Sequence, residues 1–247
     1  MTRPAMFLRR QAFAWMTAAA LAPAAAATTG SGNVVTETRA VSGYQSIALR
    51  GAIDVVVRQG SREGVQVRAD DNVAPLVQTV VEGSGDARTL RIQFKAGESV
   101  RTRTPVVVTV DVVKLSAVAS SGSGDIRIEA LNTPALTLSI SGSSDAKLEQ
   151  LDTEQLSISI AGSGDVQARG RAARFEISIA GSGDVNAREL AAGDANVSIA
   201  GSGDASLTVQ KTISVAIAGS GDVEYGGGAT LAKRSIAGSG TVRQRQP

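Results

Sequence analysis

The sequence predicts an all-β protein, a right-handed parallel β-helix (β-solenoid) with coils of about 18–20 residues. The first observation is a Gly-Ser-Gly-Asp turn that recurs at nearly constant spacing along the second half of the chain. The second is strict alternation of apolar and polar residues before each turn, which is typical of a half-buried strand. The turn ends at Asp125, at Asp145 (as GSSD), at Asp165, Asp184, Asp204 and Asp222, and, as GSGT, at Thr241.

The strand before each turn places apolar residues at matching positions of successive repeats. Stacked in register, these positions form three columns that we predict to point inward, since one repeat cannot bury its apolar side alone. The strand after the turn continues the alternation, for example at Ile126 and Ile128 or at Val166 and Ala168. The three columns are Leu136, Leu156, Phe175, Ala195 and Ile213; Leu138, Ile158, Ile177, Val197 and Val215; and Ile140, Ile160, Ile179, Ile199, Ile217 and Ile236.

A β-sandwich or barrel is the alternative fold, because its strands also recur regularly along the sequence. Those folds do not require the same residue at the same place in every unit, whereas a solenoid does, and this favours the solenoid. At a rise of about 4.8 Å per coil, the six intervals between turns give a repeat region roughly 30 Å long.

Residues 1–27 resemble an export signal. Three arginines precede an apolar, alanine-rich run that ends in small residues near Ala27, where we expect cleavage. The run is shorter than the roughly 20 residues of a membrane span, and Pro23 interrupts it, which favours a cleaved signal over an anchor. The signal fits either general secretory or twin-arginine export. We therefore predict export to the periplasm, the cell surface or the medium.

Composition excludes several classes of function. The chain has no histidine and no cysteine, which removes disulfides, Ser-His-Asp and Cys-His catalytic sets and the usual zinc sites. The 25 basic residues include three arginines within residues 1–27, where no acidic residue occurs, so cleavage leaves 22 basic against 23 acidic residues. With balanced charge and no basic run, we expect no nucleic-acid partner and no stable membrane insertion after signal cleavage.

The first part of the mature chain is β-rich but less regular than the repeats. Within it, GAID at residues 51–54 and GSGD at residues 83–86 echo the later turn, which predicts irregular first coils. A solenoid end exposes unpaired backbone and needs a cap, and this region can supply one. The chain thus divides into a signal peptide (1–27), an N-terminal linker (28–40), an irregular β-rich start or cap (41–115), the GSGD-repeat β-helix (116–241) and a C-terminal tail (242–247).

The order of these segments resembles a known family. YQSIALRGAIDVVVRQG, NVAPLVQTVVEG and TLRIQF, followed by SGSGDI, SGSSDA, AGSGDV and YGGGA, are similar to the putative auto-transporter adhesin, head GIN domain family, a domain of unknown function. The likeness covers about residues 41–231. It implies a right-handed parallel β-helix in a bacterial cell-envelope or secreted protein, and it carries no catalytic or binding residues over to this chain.

The repeated aspartate has a structural and a functional interpretation. The glycines permit the backbone angles of a tight corner, and the aspartate can accept hydrogen bonds from backbone N–H groups of its own corner, as in an Asx-turn. Alternatively, the stacked carboxylates, about 4.8 Å apart, bind calcium, which would offset their mutual repulsion. We favour the structural interpretation and expect no cofactor. The candidate calcium ligands are Asp125, Asp145, Asp165, Asp184, Asp204 and Asp222.

The outward positions of the strand before each turn carry a second ladder. It forms either an uncharged solvated face or a flat hydrogen-bonding surface for a glycan or a protein partner. The mature chain has few aromatic residues on which sugar rings could stack, which speaks against a dedicated glycan platform on this face. The ladder consists of Ser139, Ser159, Ser178 and Ser198, flanked by Thr137, Ser157, Glu176, Asn196 and Ser214.

A β-helical polysaccharide lyase or hydrolase is the alternative class of function. A hydrolase needs two carboxylates at a defined separation in a cleft, whereas the acids here form a ladder. Arg169, Arg171 and Arg174 would have to face acids such as Asp165 to serve a lyase. We therefore predict a non-enzymatic, exported cell-envelope module, similar to an adhesin head, that presents a repetitive β-helical surface to a protein or glycan ligand.

Overall fold

The computed structural model describes residues 27–85 and 88–246, so the predicted signal peptide lies outside the described residues apart from Ala27. In the described part of the chain, no helix is both long and apolar enough to cross a bilayer. The elements of the first part are β1 (Thr28–Thr29), β2 (Val34–Arg39), β3 (Ser46–Gly51), β4 (Asp54–Gln59), β5 (Gly64–Asp70), a 3-10 helix (Ala74–Leu76), β6 (Val77–Glu82), β7 (Thr89–Phe94), β8 (Val100–Arg101) and β9 (Val107–Val112).

The second part of the chain is the regular solenoid. Strands β11 to β15 each form one coil, and each pairs in parallel with the next. The strands are β10 (Ala117–Gly122), β11 (Ile126–Gly142), β12 (Ala146–Gly162), β13 (Val166–Gly181), β14 (Val185–Gly201), β15 (Ala205–Gly219), β16 (Val223–Gly226), β17 (Thr230–Gly238) and β18 (Val242–Gln244).

The register of the coils stacks like residues on like. Ile140 lies opposite Ile160, and Ile160 lies opposite Ile179. The three predicted inward columns are buried, except that Ile236 in the last coil is only half-buried, because among the described strands β17 pairs with β15 alone. The predicted β-solenoid is therefore confirmed, and its core is the continuous stack of these apolar columns.

Each coil has three sides. In β11 the buried residues fall within 126–128, 131–133 and 136–140, and two consecutive outward residues mark each bend between them. We call the side before the GSGD turn the leading face (136–141 in β11), the side after it the trailing face (126–128), and the remaining side the third face (131–133). The inward column of the third face was not predicted. It includes Leu131, Leu151 and Leu190 together with Thr133 and Thr153, whose hydroxyls donate to backbone carbonyls.

The first coil is formed by β3 and β4, and its corner is the predicted GAID segment. Gly51 lies opposite Gly122, and the carboxylate of Asp54 accepts the N–H of Asp125 at 3.0 Å, so GAID is a true first corner. GSGD at 83–86 is not a solenoid corner, because its described residues connect β6 to β7, which pair antiparallel as a hairpin. Asp86 lies outside the described residues.

An antiparallel cap covers the start of the solenoid. Strand β5 pairs antiparallel with β2 and β9, and β9 in turn pairs in parallel with β4 of the first coil. Residues 34–39, which the sequence analysis assigned to a linker, thus belong to the cap, because their backbone completes the edge of β5. The small sheet of β1 and β8 lies beside it.

The C-terminal end of the solenoid carries charged residues. Arg234 occupies the register position of the inward column that holds Val215 one coil earlier, and it is exposed. Residues 242–244, assigned to the tail, pair with β16 and complete the last coil. A charge in an inward column blocks the edge-to-edge pairing that an open apolar end would otherwise invite.

Candidate functional site

The GSGD corner brings backbone atoms of neighbouring coils into direct contact. The first glycine of each motif has a positive φ, 144° at Gly162 and 139° at Gly181, which residues with side chains rarely adopt. A Cβ on the second glycine, Gly183, would collide with the carbonyl oxygen of Gly164 and stand 3.0 Å from Ile160 Cγ2. The close stacking of corners therefore requires the glycines, in addition to the turn itself.

The aspartate carboxylates join one coil to the next. The backbone N–H of Asp184 donates to Oδ1 of Asp165 at 2.9 Å, and that of Asp204 donates to Oδ1 of Asp184 at 2.8 Å. The carboxylate replaces a main-chain acceptor because the strand ladder is interrupted at the corner. The same bond runs from Asp125 to Asp54, from Asp165 to Asp145, from Asp222 to Asp204 and from Thr241 to Asp222.

The corner N–H groups are thus satisfied from the preceding coil. The N–H groups of Ser182 and Gly183 both donate to the carbonyl oxygen of Gly162, at 2.9 and 3.2 Å. The next N–H, that of Asp184, donates to Asp165. The motif taken alone predicts that each aspartate accepts a hydrogen bond from its own corner. The acceptor role is correct, but the donor lies in the following coil, because stacked corners direct their N–H groups along the solenoid axis.

One corner departs from the motif. Ser144 stands where the other GSGD repeats have glycine, and Ser120 stands in the column that holds isoleucine from Ile140 onwards and Leu49 in the first coil. The two buried hydroxyls lie 2.7 Å apart and hydrogen-bond to each other. In regular corners an isoleucine methyl packs against the second glycine, so the smaller Ser120 makes room for Ser144. Among the described residues, this corner lacks the bond from the N–H of Asp145 to the carboxylate of Asp125.

Thr241 closes the ladder at the last corner. Its hydroxyl and its backbone N–H both donate to Oδ1 of Asp222, each at 2.8 Å. The hydroxyl bond and then the N–H bond lower the pKa of Asp222 below 3.8. Desolvation opposes them with a smaller effect, and the charge of Arg243 makes the smallest contribution to the lowering. Threonine offers no carboxylate to a further coil, so the ladder ends here.

The candidate calcium ligands stand in single file along this corner. Their side chains are exposed, and a shallow groove of about 430 Å³ runs beside Asp145, Asp165 and Asp184. In most of the ladder one oxygen of each carboxylate is engaged by the next coil, which leaves Oδ2 available. Within the described ranges, no three acidic side chains lie close enough together to hold a metal ion. Calcium binding stays the untested alternative to the structural interpretation.

The leading face presents a flat strip of small side chains. Ser139, Ser159, Ser178 and Ser198 lie opposite one another in successive coils. From β10 to β15, this outward column and the next one towards the turn contain only serine and alanine. The strip is uncharged, as the sequence indicated, and a ligand for it stays a prediction.

The arginines of the predicted basic cluster diverge. Arg169 pairs with Glu189 at 3.2 Å, and Arg171 pairs with Asp152, whose Oδ1 it contacts at 2.7 Å. In the part of the chain that the structure describes, neither these arginines nor Arg174 forms an ion pair with Asp165. The arrangement of guanidinium groups around that acid, which a lyase would need, is not formed.

A groove on the third face was not predicted. Three depressions of about 500, 350 and 260 Å³ share Asn132 and run together. Asp152 accepts a bidentate bond from Arg171 and a 3.4 Å bond from Asn132 Nδ2. The hydrogen bond from Arg171 lowers the pKa of Asp152, desolvation opposes it with a smaller effect, and the charge of Arg171 lowers the pKa further, so the carboxylate is ionised at neutral pH. We call this feature the third-face groove.

The stacked corners and columns define a parallel β-solenoid whose coils are joined by aspartate carboxylates. The chain belongs to the putative auto-transporter adhesin, head GIN domain family, whose model matches residues 43–229. The resemblance drawn from the sequence is thereby confirmed.

Solved structures are similar over most of the chain. A putative adhesin from Bacteroides fragilis has a TM-score of 0.77 at 24% identity, covering 88% of this chain and 99% of that chain. A putative lipid binding protein from Parabacteroides distasonis has a TM-score of 0.73 at 26% identity, covering 90% and 100%. A putative adhesin from Parabacteroides merdae has a TM-score of 0.70 at 25% identity, covering 89% and 99%. No curated protein matches the chain.

Proposed function

We propose that this protein is a non-enzymatic, exported module of the bacterial cell envelope that binds a surface ligand through its solenoid. Membership of the adhesin head family, and likeness to structures described as adhesins, support the adhesin-like part of the proposal. One observation carries the binding role. Carboxylates such as Asp165 and Asp184 tie successive corners together, so outward side chains stand at fixed spacing on a rigid scaffold.

The placement of the acids favours binding over catalysis. Hydrolysis of a glycosidic bond uses two carboxylates facing each other across the scissile bond. Here Asp165, Asp184 and Asp204 stack along one exposed corner, each with an oxygen engaged by backbone. The ligand is therefore a protein or glycan that is held and released unchanged. Because one relative is described as lipid binding, lipid vesicles belong in the test.

Binding is tested with the purified mature chain. Fluorescently labelled protein is titrated onto bacterial envelope fractions, a glycan array and phospholipid vesicles, with excess unlabelled protein as competitor. We expect saturable, competed binding to envelope fractions and no change in any polysaccharide. Binding that excess protein does not compete, or reproducible release of polysaccharide products, would refute the proposal.

Export is tested separately with residues 1–27 fused to a reporter enzyme that is active only outside the cytoplasm. We expect activity with the native segment. Replacement of both Arg9 and Arg10 by lysine is the matched control for the route, since it keeps the charge but removes a twin-arginine pair. A cytoplasmic, uncleaved fusion would contradict the exported status.

A further inference from the structure

The third-face groove assembles polar groups from three consecutive coils. Asn132, Asp152 and Arg171 occupy the same register position in β11, β12 and β13. The position holds Ala191 in β14, so the polar series stops after three coils. The groove lies on a different side of the coil from the aspartate corner and from the serine and alanine strip, so it is a separate feature of the surface.

These polar groups are held in place by one another. Arg171 donates to both oxygens of Asp152, and the amide of Asn132 donates to Oδ2 of the same carboxylate. Gln59 accepts the backbone N–H of Asn132 at 2.8 Å and donates to its carbonyl at 3.0 Å. Beneath them, the nearly buried hydroxyl of Thr153 is fixed to two backbone carbonyls. Side chains that are already ordered lose little conformational entropy when a ligand binds.

A bulge shapes the groove. Strand β13 has one residue fewer than β12, and their pairing shifts between Leu148 and Leu151. Gly170 absorbs the shift with a φ of 121°, and a Cβ there would collide with the carbonyl oxygen of Leu151. After the shift, Arg171 comes into register with Asp152. Bulges commonly re-aim side chains next to functional sites.

The chemistry of the lining identifies the ligand class. Guanidinium and amide groups donate, while carboxylate and amide oxygens accept, and a sugar hydroxyl can do both. The charges cancel, because Lys114 and Arg171 balance Asp152 and Glu154, so the groove does not select a charged ligand. The apolar lining of its largest depression consists of Pro134, Ala172 and Ala173, whose small side chains offer little area to the large side chain that anchors a typical protein partner.

We propose that the third-face groove binds a neutral oligosaccharide, whose hydroxyls replace water on Asn132, Asp152 and Arg171. The proposal rests on the proposed function, since it names the ligand class of the same module. Among the described residues, no aromatic side chain lines the groove to stack on a sugar ring. Recognition thus depends on the hydrogen bonds, and one polar substitution weakens it measurably.

The test is calorimetric titration of the mature chain with neutral hexasaccharides of glucose, mannose and galactose, and with a hexasaccharide of galacturonic acid. We expect at least one neutral hexasaccharide to bind more tightly than the acidic one. Asp152→Asn should weaken that binding about tenfold, because a hydrogen bond to a charged group is lost. Asn132→Ala provides a second variant with the same expected direction.

The matched control is Glu149→Gln. Glu149 lies in the same coil and also pairs with an arginine, Arg127 at 3.3 Å, but it does not line the groove. We expect Glu149→Gln to bind like the native chain. Thermal melting should show that all variants are folded: Asp152→Asn leaves Arg171 without its partner, but Arg171 is 73% exposed, so no charge is left buried.

The outcomes separate this inference from the proposed function. The inference is overturned if no neutral hexasaccharide binds, if the acidic one binds more tightly, or if Asp152→Asn and Glu149→Gln lose affinity equally. Envelope binding that persists in any of these cases leaves the proposed function standing and moves the ligand elsewhere on the solenoid. If the native chain does not bind envelope fractions, the proposed function is overturned, and with it the inference that rests on it.

Discussion

Replacing Asp184 by asparagine and by alanine separates the two effects of a stacked carboxylate. Its Oδ1 accepts the backbone N–H of Asp204 at 2.8 Å, and its own N–H donates to Asp165 at 2.9 Å. Asparagine keeps an acceptor oxygen, whereas alanine leaves the N–H of Asp204 without its protein partner. Both changes remove the same charge, so the difference between them isolates the hydrogen bond from the repulsion.

The expected magnitudes follow from this geometry. Carboxylates one coil apart, about 4.8 Å, repel by about 0.9 kcal/mol at the dielectric of water, and Asp184 has two such neighbours. Relief of that repulsion offsets the weaker bond to a neutral amide, so Asp184→Asn should change the free energy of unfolding by less than about 0.5 kcal/mol. Asp184→Ala should be less stable than Asp184→Asn by about 1 kcal/mol, the value of one neutral hydrogen bond.

Urea denaturation measures the difference, and amide hydrogen exchange localises it. The N–H of Asp204 should exchange about fivefold faster in Asp184→Ala than in Asp184→Asn, which corresponds to about 1 kcal/mol. Melting with millimolar calcium and with chelator completes the assay. Equal damage by both substitutions, together with a native melting temperature that rises by many degrees in calcium, would refute the reasoning and establish a calcium site.

Three further predictions test the register, the corner and the last rung. Ile179→Asp should unfold several coils by burying an unpaired charge, whereas Ser178→Asp on the exposed side should be tolerated; equal loss in urea denaturation would contradict the register. Gly183→Ala should destabilise by about 1–3 kcal/mol in the same assay, since its Cβ meets backbone; an unchanged midpoint would contradict the close stacking. Thr241→Val should raise the pKa of Asp222 towards 3.8 in an NMR titration. Because the pKa of Asp222 is lower in the folded state, the hydrogen bond stabilises the native chain fully above about pH 3.8, and this stability is lost as the pH falls through the folded-state pKa. The variant lacks the hydroxyl bond, so its stability should depend less on acid.

The alternation of apolar residues was sufficient to predict the part of the core that the leading and trailing faces contribute. An inward position such as Leu138 or Ile179 is determined by its neighbours in sequence, since side chains in a strand point to opposite faces in turn. The period of the GSGD turn then fixes which residues stack, because every coil must return to the same corner. Local pattern and period together therefore specify the columns without any knowledge of distant contacts.

The third face escaped prediction because its bends carry no turn motif that recurs from coil to coil: Pro134 stands at one bend and Gly193 at another. The chain bends within a continuous strand, and the local sign is a pair of outward residues, such as Glu154 and Gln155, that interrupts the alternation. The third-face groove depends further on which polar residues come into register across coils. The shift at Gly170 decides that Arg171 meets Asp152. The spacing from Asp165 to Asp184 shows that this coil is one residue shorter than the coil before it, but not where in the coil the residue is missing.

The donor to each aspartate was misplaced for a related reason. A turn motif is ordinarily explained within its own four residues, but in a solenoid the nearest unsatisfied N–H lies one coil away. Ser144 shows the same principle in the core. A serine replaces glycine at the corner where the facing residue of the preceding coil is Ser120 instead of an isoleucine, and their hydroxyls bond to each other. The second glycine of the motif is thus required by the side chain that packs against it from the preceding coil. Its repetition therefore reflects contacts between coils as well as the backbone angles of a turn.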